Sequence, residues 1–308
     1  MRTLTPETLL MVDAIARHGS FARAARELDK VPSAITYAVR RLEDDLDVLL
    51  FDRSGHRAVL TPAGAELLRE GRLLLHSLDE LANRVRRVAT GWEPELRIAV
   101  SAVLPWAPLY DVIADFHALA SHTRLRFSIE VLSGNWDALA SARADLVIGA
   151  DGPSAPSGGF QARPLGRMGF AFCVAPHHPL AQAAQPLAAS DIAAHCAVAV
   201  ADTTHHLAPL TRGLLASQQM LVMPDMQAKI DAQARGLGCG YVPRPLARPY
   251  LERGVLVELA TGDGVPLEEQ LVYAWRPPVQ GEALKWWLGR LQSERLCQRL
   301  LGEQPEKD

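Results

Sequence analysis

Apolar positions recur with helical spacing in three short segments at the beginning of the chain. The first segment follows Thr5-Pro6, a capping hydroxyl and a proline suited to the first helical position, and it ends at Gly19. The second runs from Phe21 to Leu28 after Ser20, which is expected to cap it. The third opens at Pro32 after a tight turn. Two short helices joined in this way predict a helix-turn-helix.

The third segment has two faces of different character. Its apolar stripe contains Ile35, Val39 and Leu42. Another face carries polar side chains at spacings of one or two helical turns: Ser33, Thr36, Tyr37 and Arg40. Such a face either meets the major groove of DNA or is an ordinary solvated surface, and the spacing alone leaves both interpretations open.

A β-hairpin is predicted after the third helix. Residues 49–53 and 58–61 read as strands on either side of Ser54-Gly55-His56-Arg57. Basic side chains near the tip suit contact with DNA phosphates or with the minor groove. This wing favours the DNA-binding interpretation of the third helix.

A long helix is predicted from Pro62 to about Ala89, capped by Thr61. Its apolar positions form a heptad seam with alternating steps: Leu67, Gly71, Leu74, Leu78, Leu81, Val85 and Val88. The seam predicts a partner helix and therefore a dimer, with packing of the helix on its own domain as the alternative. Gly91-Trp92-Glu93-Pro94 then breaks the helix and marks a domain boundary.

Short apolar strands alternate with helices in the rest of the chain, which predicts an α/β fold. Strands are expected at 96–100, 125–131, 146–149, 170–175, 197–200, 220–223 and 271–275, and helices at 105–120, 136–142, 190–194, 225–234, 245–252 and 282–292. Ligands of such folds bind beyond the carboxyl ends of the strands. The small polar residues there are Ser101, Ser133-Gly134, Asp151 and Thr203-Thr204. Each alone could be an ordinary loop residue, but together they indicate a ligand site.

Composition narrows the function classes. The net charge of −3 over 308 residues argues against polyanion binding by the whole surface, so a nucleic-acid site must be local. Four scattered cysteines argue against a disulfide framework or a zinc cluster. The chain lacks an apolar leader and any run long enough for a membrane helix, so a cytoplasmic location is expected. No catalytic, cofactor or metal motif is found, and no enzyme activity is expected.

The N-terminal motifs resemble those of the LysR-type transcriptional regulators. They are Gly19-Ser20-Phe21, Ala24-Ala25, Leu28, Ser33-Ala34-Ile35-Thr36, Leu42-Glu43, Leu50-Phe51-Asp52-Arg53 and Leu60-Thr61-Pro62-Ala63-Gly64. Pro32 and Tyr37 depart from the residues usual in the family, so the operator preference is expected to differ from that of other members. The resemblance implies that DNA is contacted by Ser33, Thr36, Tyr37 and Arg40 in the major groove and by Arg53 and Arg57 on the backbone, and Ser20 is placed with them. Asp52 is expected to anchor the wing.

The resemblance continues in the remainder of the chain. Its motifs are Ala144-Asp145-Leu146-Val147-Ile148-Gly149, Pro176-His177-His178-Pro179-Leu180-Ala181 and Gly236-Leu237-Gly238-Cys239-Gly240-Tyr241-Val242-Pro243. They resemble landmarks of the LysR-type effector domain, which has two lobes like those of type 2 periplasmic binding proteins. The resemblance implies crossings between the lobes near Leu165 and Pro266. It also implies an effector in the cleft, with contacts assigned to Ser101, Ser133, Gly134, Thr203 and His205.

The expected protein is therefore an α/β regulator of transcription with a mainly α winged helix-turn-helix. The expected segments are the DNA-binding domain at 1–61, the linker helix at 62–91, the effector domain at 92–302 (lobe I at 95–164 and 266–302, lobe II at 165–265) and a disordered tail at 303–308. The expected partners are operator DNA, a carboxylate or aromatic inducer, RNA polymerase and a second copy of the chain, as a dimer or tetramer. The alternatives are a solute-binding protein with an N-terminal assembly module and an α/β enzyme.

Overall fold

The computed structural model describes residues 3–52, 57–155, 158–210, 213, 215, 218–262, 268–279 and 281–303. It divides the chain into two compact units, Met1–Ala89 and Thr90–Asp308. Within the described ranges, each helix lacks the combination of length and apolar character that a membrane span requires.

The N-terminal unit begins with short helices, continues through a hairpin and ends in a long helix. Its elements are α1 (Pro6–His18), α2 (Phe21–Glu27), α3 (Pro32–Leu46), β1 (Phe51–Asp52), β2 (Val59–Leu60) and α4 (Pro62–Thr90). Thr5 forms a capping box with Thr8 at the start of α1, and Gly19 ends that helix with a φ of 60°. The predicted helix starts and the predicted antiparallel hairpin are confirmed.

A buried carboxylate joins α3 to the hairpin. Val12, Ile35 and Phe51 belong to the apolar core that α1, α2 and α3 enclose. Glu43 of α3 is buried beside this core, and its Oε1 accepts the backbone N–H groups of Leu50 at 2.9 Å and Phe51 at 3.3 Å. Because both donors lie at the entry to β1, Glu43 fixes the hairpin to α3.

The predicted seam of α4 divides into two parts. Leu67 packs against the N-terminal core, and Gly71 is buried with Leu9 Cδ2 only 2.7 Å from the place of a Cβ. Four of the following seam residues are exposed, Leu74 by 53%, Leu78 by 45%, Leu81 by 51% and Val85 by 64%. The side chain of Val88 lies outside the described part of the structure. Packing on its own domain therefore accounts for the first turns of the helix only.

The C-terminal unit alternates strands and helices. Its strands are β3 (Glu95–Ser101), β4 (Arg124–Glu130), β5 (Leu146–Asp151), β6 (Gln161–Val174), β7 (Ala197–Val200), β8 (Met220–Met223), β9 (Gly240–Pro243), β10 (Val257–Glu258) and β11 (Glu268–Trp275). Its helices are α5 (Ala107–His117), α6 (Gly134–Ala140), α7 (Ala189–Ala193), α8 (Met226–Ala234), α9 (Arg244–Glu252), α10 (Glu282–Arg290) and α11 (Glu294–Leu301). The main sheet has the order β10-β6-β11-β5-β3-β4, with β9 also paired to β6, and β7 pairs with β8 in a separate sheet.

The long strand β6 connects two lobes of this unit. Its residues 161–169 pair with β11, and its residues 170–174 pair with β9 and β10. The first lobe contains β3, β4, β5, β11, α5, α6, α10 and α11, and the second contains β7 to β10 and α7 to α9. The pairing changes after Gly169, later than the expected crossing near Leu165. The expected crossing near Pro266 lies outside the described residues.

The helix α11 is missing from the elements that the sequence analysis predicts. Ser293 caps it by accepting the Leu296 N–H at 3.4 Å, and Leu296 and Leu300 are buried. A capping serine followed by apolar residues at helical spacing was therefore a usable signal. Of the expected tail at 303–308, the structure describes Glu303 alone.

Candidate nucleic-acid interface and ligand cleft

The polar face of α3 lies opposite its buried stripe. Ser33 and Arg40 are exposed, and Tyr37 is exposed by 67%. Thr36 is half-buried, and its hydroxyl donates to the Pro32 carbonyl at 2.9 Å. The fold thus brings the four predicted groove-contacting residues onto one helical surface, where three of them are exposed.

The other predicted DNA-binding residues lie around the turn before α2 and in the wing. The Ser20 hydroxyl accepts the Arg23 N–H at 3.4 Å, so it caps α2. Arg57 is exposed, and its side-chain carbons pass 3.7 Å from the place of a Cβ on Gly19. The wing therefore ends beside the start of α2. Arg53 lies outside the described residues.

Further cations near this turn were missed by the sequence analysis. Arg23 and Arg26 are exposed and line a shallow depression of about 370 Å³ together with His18 and Glu27. Hydrogen bonds from Arg17 and then from His18 lower the pKa of Glu27 to about 2, so that carboxylate stays ionised. Arg23 and Arg26 add positive charge to the exposed surface of α2, and arginine side chains are among the groups that contact DNA phosphates.

Predicted ligand residues from different strand ends meet in the C-terminal unit. The Thr203 hydroxyl, on the segment that follows β7, donates to Glu130 Oε2 at 2.6 Å and accepts the Val131 N–H at 2.9 Å. Gly134 lies against the same hydroxyl, because a Cβ there would be 1.9 Å from Thr203 Oγ1. A glycine at position 134 thus allows the second-lobe segment to approach the first lobe.

Ser133 is bound to a carboxylate of the protein itself. Its hydroxyl donates to Asp202, and the Gly134 N–H donates to Asp202 Oδ1 at 3.1 Å. The same carboxylate accepts the N–H groups of Thr204 at 2.9 Å and Leu210 at 2.8 Å. Partial burial alone would raise the pKa of Asp202, but the hydrogen bonds from Ser133, Leu210 and Thr204 bring it below its ordinary value.

A second carboxylate contact joins the lobes at Asp137. This side chain is fully buried and accepts the His205 backbone N–H at 3.0 Å, Arg143 Nη2 at 3.1 Å and His206 Nδ1 at 3.1 Å. Arg143 also donates to Glu130 at 2.7 Å. His205 therefore contributes its backbone to this network, and the imidazole that binds Asp137 belongs to His206.

Ser101 lies on a small adjoining cavity of about 30 Å³. It is buried at the end of β3 and shares the cavity with Asn135, Gly149 and Leu210. Asn135 Nδ2 donates to the Leu132 carbonyl at 3.0 Å, whereas Asn135 Oδ1 is buried without a hydrogen-bond partner among the described residues. A cavity of this size has room for about one water molecule. The predicted effector residues thus form two neighbouring groups. Ser133, Gly134, Thr203 and His205 contact the carboxylates between the lobes, and Ser101 lies on the small cavity.

The acidic members of the cleft were missed because small polar residues were sought. Glu130 is the last residue of β4 and Asp202 directly precedes Thr203, so both lie at the strand ends where ligand residues are expected. A buried carboxylate requires hydrogen-bond donors nearby, so a Glu at the carboxyl end of a predicted strand is a usable signal for such a site. Within the described residues, no cluster of His, Cys, Asp and Glu is arranged to hold a metal ion.

Family comparisons decide between the functions that the sequence left open. The model described as "Bacterial regulatory helix-turn-helix protein, lysR family" matches residues 6–65, and the "LysR substrate binding domain" matches residues 89–295. The chain belongs to the LysR family of transcriptional regulators. The resemblance stated from the motifs and the expected combination of a helix-turn-helix with an α/β effector domain are thereby confirmed.

Individual relatives agree with this assignment. The chain is 41% identical over 283 residues to the uncharacterized HTH-type transcriptional regulator YeeY of Escherichia coli (strain K12), covering 91% of each chain. It is 38% identical over 287 residues to the probable HTH-type transcriptional regulator YhaJ of the same strain, covering 93% of this chain and 95% of the relative. In fold it is similar to full-length CbnR, solved with its target DNA, at 17% identity and a TM-score of 0.58, covering 94% of this chain and 99% of that one.

The LysR-type chain is a transcription regulator with a helix-turn-helix DNA-binding domain and an effector-binding domain. Regulators of this family bind operator DNA and small-molecule effectors and form oligomers. The alternatives of a solute-binding protein and an α/β enzyme are set aside, because the relatives named above are regulators of transcription.

Proposed function

We propose that the chain reads an inverted-repeat operator through α3 and the wing, and that an inducer bound between the lobes shifts the geometry of α4. The observation that carries the DNA contact is the exposed polar face of α3, where Ser33, Tyr37 and Arg40 point away from the buried stripe. Thr36 lies on the same face. Arg53 and Arg57 are assigned to contacts with the DNA backbone. Ser20, at the start of α2, is assigned to a further DNA contact.

Docking of α3 in the major groove agrees with the chemistry of these side chains. An arginine suits the acceptor edge of guanine, and hydroxyl groups contact either bases or phosphates. The CbnR structure contains its target DNA, and its fold likeness to this chain supports the same use of the helix-turn-helix here. Two copies on one duplex give an inverted repeat, because operator symmetry mirrors the two-fold symmetry of a dimer.

The partners follow from this mode of action. A second copy of the chain binds along the exposed stripe of α4 to form a dimer. If the protein is a tetramer, it consists of two such dimers. RNA polymerase is the partner through which a bound regulator acts on transcription. The protein works in the cytoplasm, where its operator is. The limits proposed for the segments are 1–61 for DNA binding, 62–91 for the linker and 92–302 for the effector domain.

The inducer is a small molecule that enters beside Ser101 and the neighbouring cleft residues Ser133, Gly134, Thr203 and His205. The sequence leaves two chemical classes open for the inducer, a carboxylate and an aromatic compound. Because Asp202 and Leu210 now cover these residues, ligand entry requires the segment after β7 to move. Such a movement between lobes is the change that would reach α4.

The DNA assignment is tested by fluorescence anisotropy with the full chain, using a duplex from its own upstream region and a scrambled duplex. Arg40→Ala should lower the preference for the operator by about 10- to 100-fold, because a base contact contributes about 1–3 kcal/mol of discrimination. Arg41→Ala is the matched control, since Arg41 is also exposed and lies about 100° away around the helix. It should leave both the affinity for the operator and the preference over the scrambled duplex unchanged. An operator preference unchanged by Arg40→Ala would refute the assigned face.

A further inference from the structure

A lysine of the second lobe differs from the other described lysines in having no counter-ion. Lys229 of α8 is half-buried, and its Nζ forms no hydrogen bond or ion pair with the described residues. Lys30 and Lys285 are exposed and pair with Glu7 at 2.6 Å and with Glu282 at 2.7 Å. Arginine supplies most cations of this chain, but only lysine can lose its proton near neutral pH. A lysine at position 229 therefore makes a neutral amine available.

Uncharged groups surround the Lys229 amine. Its Nζ is 3.7 Å from the place of a Cβ on Gly240, and Gln233 Nε2 is 3.3 Å from the same point. Desolvation by burial lowers the pKa of Lys229 to about 8, since the opposing effect of ionised Cys173 and Cys239 is smaller. The ammonium form is thus disfavoured at this position.

The two thiols compete with the amine neither as counter-ions nor as nucleophiles. Burial raises the pKa of Cys173 to about 12 and that of Cys239 to about 11, so both thiols stay protonated at neutral pH. Glu258, which lies opposite Cys173 on β10, is ion-paired with Arg244 at 2.6 Å. The amine of Lys229 is therefore the nucleophile of this cluster.

Gln233 adds an acceptor that lacks a donor. The residue is fully buried, and its Nε2 donates to the Cys173 carbonyl at 3.2 Å and to the Gly240 carbonyl at 2.8 Å. These bonds orient the amide, so Oε1 is the atom left without a hydrogen-bond partner among the described residues. Lys229 and Gln233 are one turn apart on the same face of α8. A group that binds the amine and carries an O–H would recover the cost of this buried acceptor.

We propose that Lys229 is a modification site for small aldehydes, separate from the cleft assigned to the inducer. The amine attacks the carbonyl carbon and a C–N bond forms, while the nitrogen loses a proton and the carbonyl oxygen takes one up. The hydroxyl of the resulting carbinolamine donates to Gln233 Oε1. Loss of this hydroxyl with the remaining N–H proton, as water, leaves an imine. Amine and aldehyde thus give imine and water without an oxidant or a reductant.

The surroundings of the amine select the class of electrophile. The place of a Cβ on Gly240 is 3.1 Å from the Val198 carbonyl oxygen, so the space beside Lys229 is narrow and suits a short carbonyl compound. An acyl donor would form an oxyanion on attack, and the acceptor Gln233 Oε1 offers an oxyanion no hydrogen bond. A carbinolamine brings the hydroxyl that this acceptor lacks. Aldehydes are therefore favoured over acyl phosphates.

Reductive trapping on the full chain tests the site. The protein is treated at neutral pH with isotopically labelled formaldehyde and dimethylamine–borane, and mass spectrometry of peptides gives the initial methylation rates of Lys229, Lys30 and Lys285. Lys229 should react about tenfold or more faster than the other two, because its neutral form is far more abundant than that of an ordinary lysine with a pKa of about 10.4. This advantage should shrink as the pH rises toward about 10. A rate at Lys229 no greater than at Lys30 and Lys285 would overturn the proposal.

A variant of Gln233 tests the cluster around the amine. Gln233→Glu places a carboxylate one turn from Lys229 and should slow its methylation by about tenfold, because the ion pair keeps the ammonium charged. The rates at Lys30 and Lys285 should not change. An unchanged rate at Lys229 in a variant that folds by circular dichroism would contradict the proposal, and the pH series on the unchanged chain decides if the variant does not fold.

A second electrophile tests the chemical class. Acetyl phosphate should show a smaller preference for Lys229 over Lys30 and Lys285 than formaldehyde does, and an equal preference would overturn the assignment to aldehydes. Operator binding of Lys229→Arg is measured in parallel and should match that of the unchanged chain. Failure of the proposed function is therefore read from DNA binding, and failure of this inference from the methylation rates.

Discussion

Single carboxylates hold separate parts of the chain together in both units. Glu43 accepts two backbone N–H groups at the entry to the hairpin, and Asp202 accepts donors from both sides of the cleft. Buried donors that lose their acceptor keep the full cost of desolvation. Substitutions at such residues should therefore change stability far more than substitutions of exposed acids.

Glu43→Ala should lower the free energy of unfolding of the N-terminal unit by about 2–4 kcal/mol, because the N–H groups of Leu50 and Phe51 are left without an acceptor. Urea unfolding monitored by circular dichroism measures the change. Glu43→Gln retains an acceptor oxygen and should lose less. The neighbouring exposed Asp44, changed to Ala, should stay within about 0.5 kcal/mol of the original. Equal losses for Glu43→Ala and Asp44→Ala would contradict this role.

Replacement of two glycines by alanine should change the free energy of unfolding in opposite directions. At Gly134 the new Cβ would lie 1.9 Å from Thr203 Oγ1, so the C-terminal unit should lose about 1–3 kcal/mol from overpacking. At Gly289, an exposed position in α10 with nothing within 4 Å, the same change should gain about 0.5–1 kcal/mol from helix propensity. Urea unfolding of both variants measures the difference. A Gly134→Ala chain as stable as Gly289→Ala would show that the lobes do not meet at position 134.

At the scale of single residues, the sequence predicts which residues lie in the cleft better than it predicts the residues that they hydrogen-bond to. Ser133 and Thr203 were found because they follow strands, which is a local property of the chain. Their partners Asp202 and Glu130 depend on how the second-lobe segment folds onto α6, and this contact joins residues far apart in sequence. His205 illustrates the same limit, since its backbone and not its ring contacts Asp137.

At the scale of elements, periodicity and capping predict most of the helices and strands. The turn between α2 and α3 was placed correctly because Ser20 and Pro32 carry local start signals. The extent of β6 was not, because it forms one continuous strand that pairs with different partners along its length. The seam of α4 was recognised, but only the fold shows that Leu67 packs against the N-terminal core.

The exposed stripe of α4 should carry the self-association of the chain. Leu78→Glu and Leu81→Glu should each weaken association by about tenfold or more, because burial of a leucine contributes about 1.5–3 kcal/mol. Sedimentation velocity over a concentration series measures this effect. Leu73→Glu is the control, because Leu73 is exposed by 38% but lies off the seam. A double variant at 78 and 81 that sediments like the unchanged chain would rule out this stripe as the dimer contact.

At the scale of the whole molecule, two units with different chemistry are combined in one regulator. The N-terminal unit presents an exposed polar helix face with arginines, and the C-terminal unit presents a cleft bounded by buried carboxylates. The order of these units was predictable, because each leaves local motifs in the sequence. The class of inducer was not, because the residues that line the cavity, among them Ser101, Asn135 and Leu210, come together from distant parts of the C-terminal unit.

The most direct test of the account is a DNase I footprint of the full chain on the DNA upstream of its own coding region. The account predicts two protected half-sites in inverted orientation, with centres separated by about one 10.5-base-pair helical turn or a multiple of it. Protection should be lost at the same protein concentration with Arg40→Ala and retained with Arg41→Ala. Protection without preferred position, at the concentrations that also protect scrambled DNA, would contradict the claim that this chain is a sequence-specific regulator acting through α3.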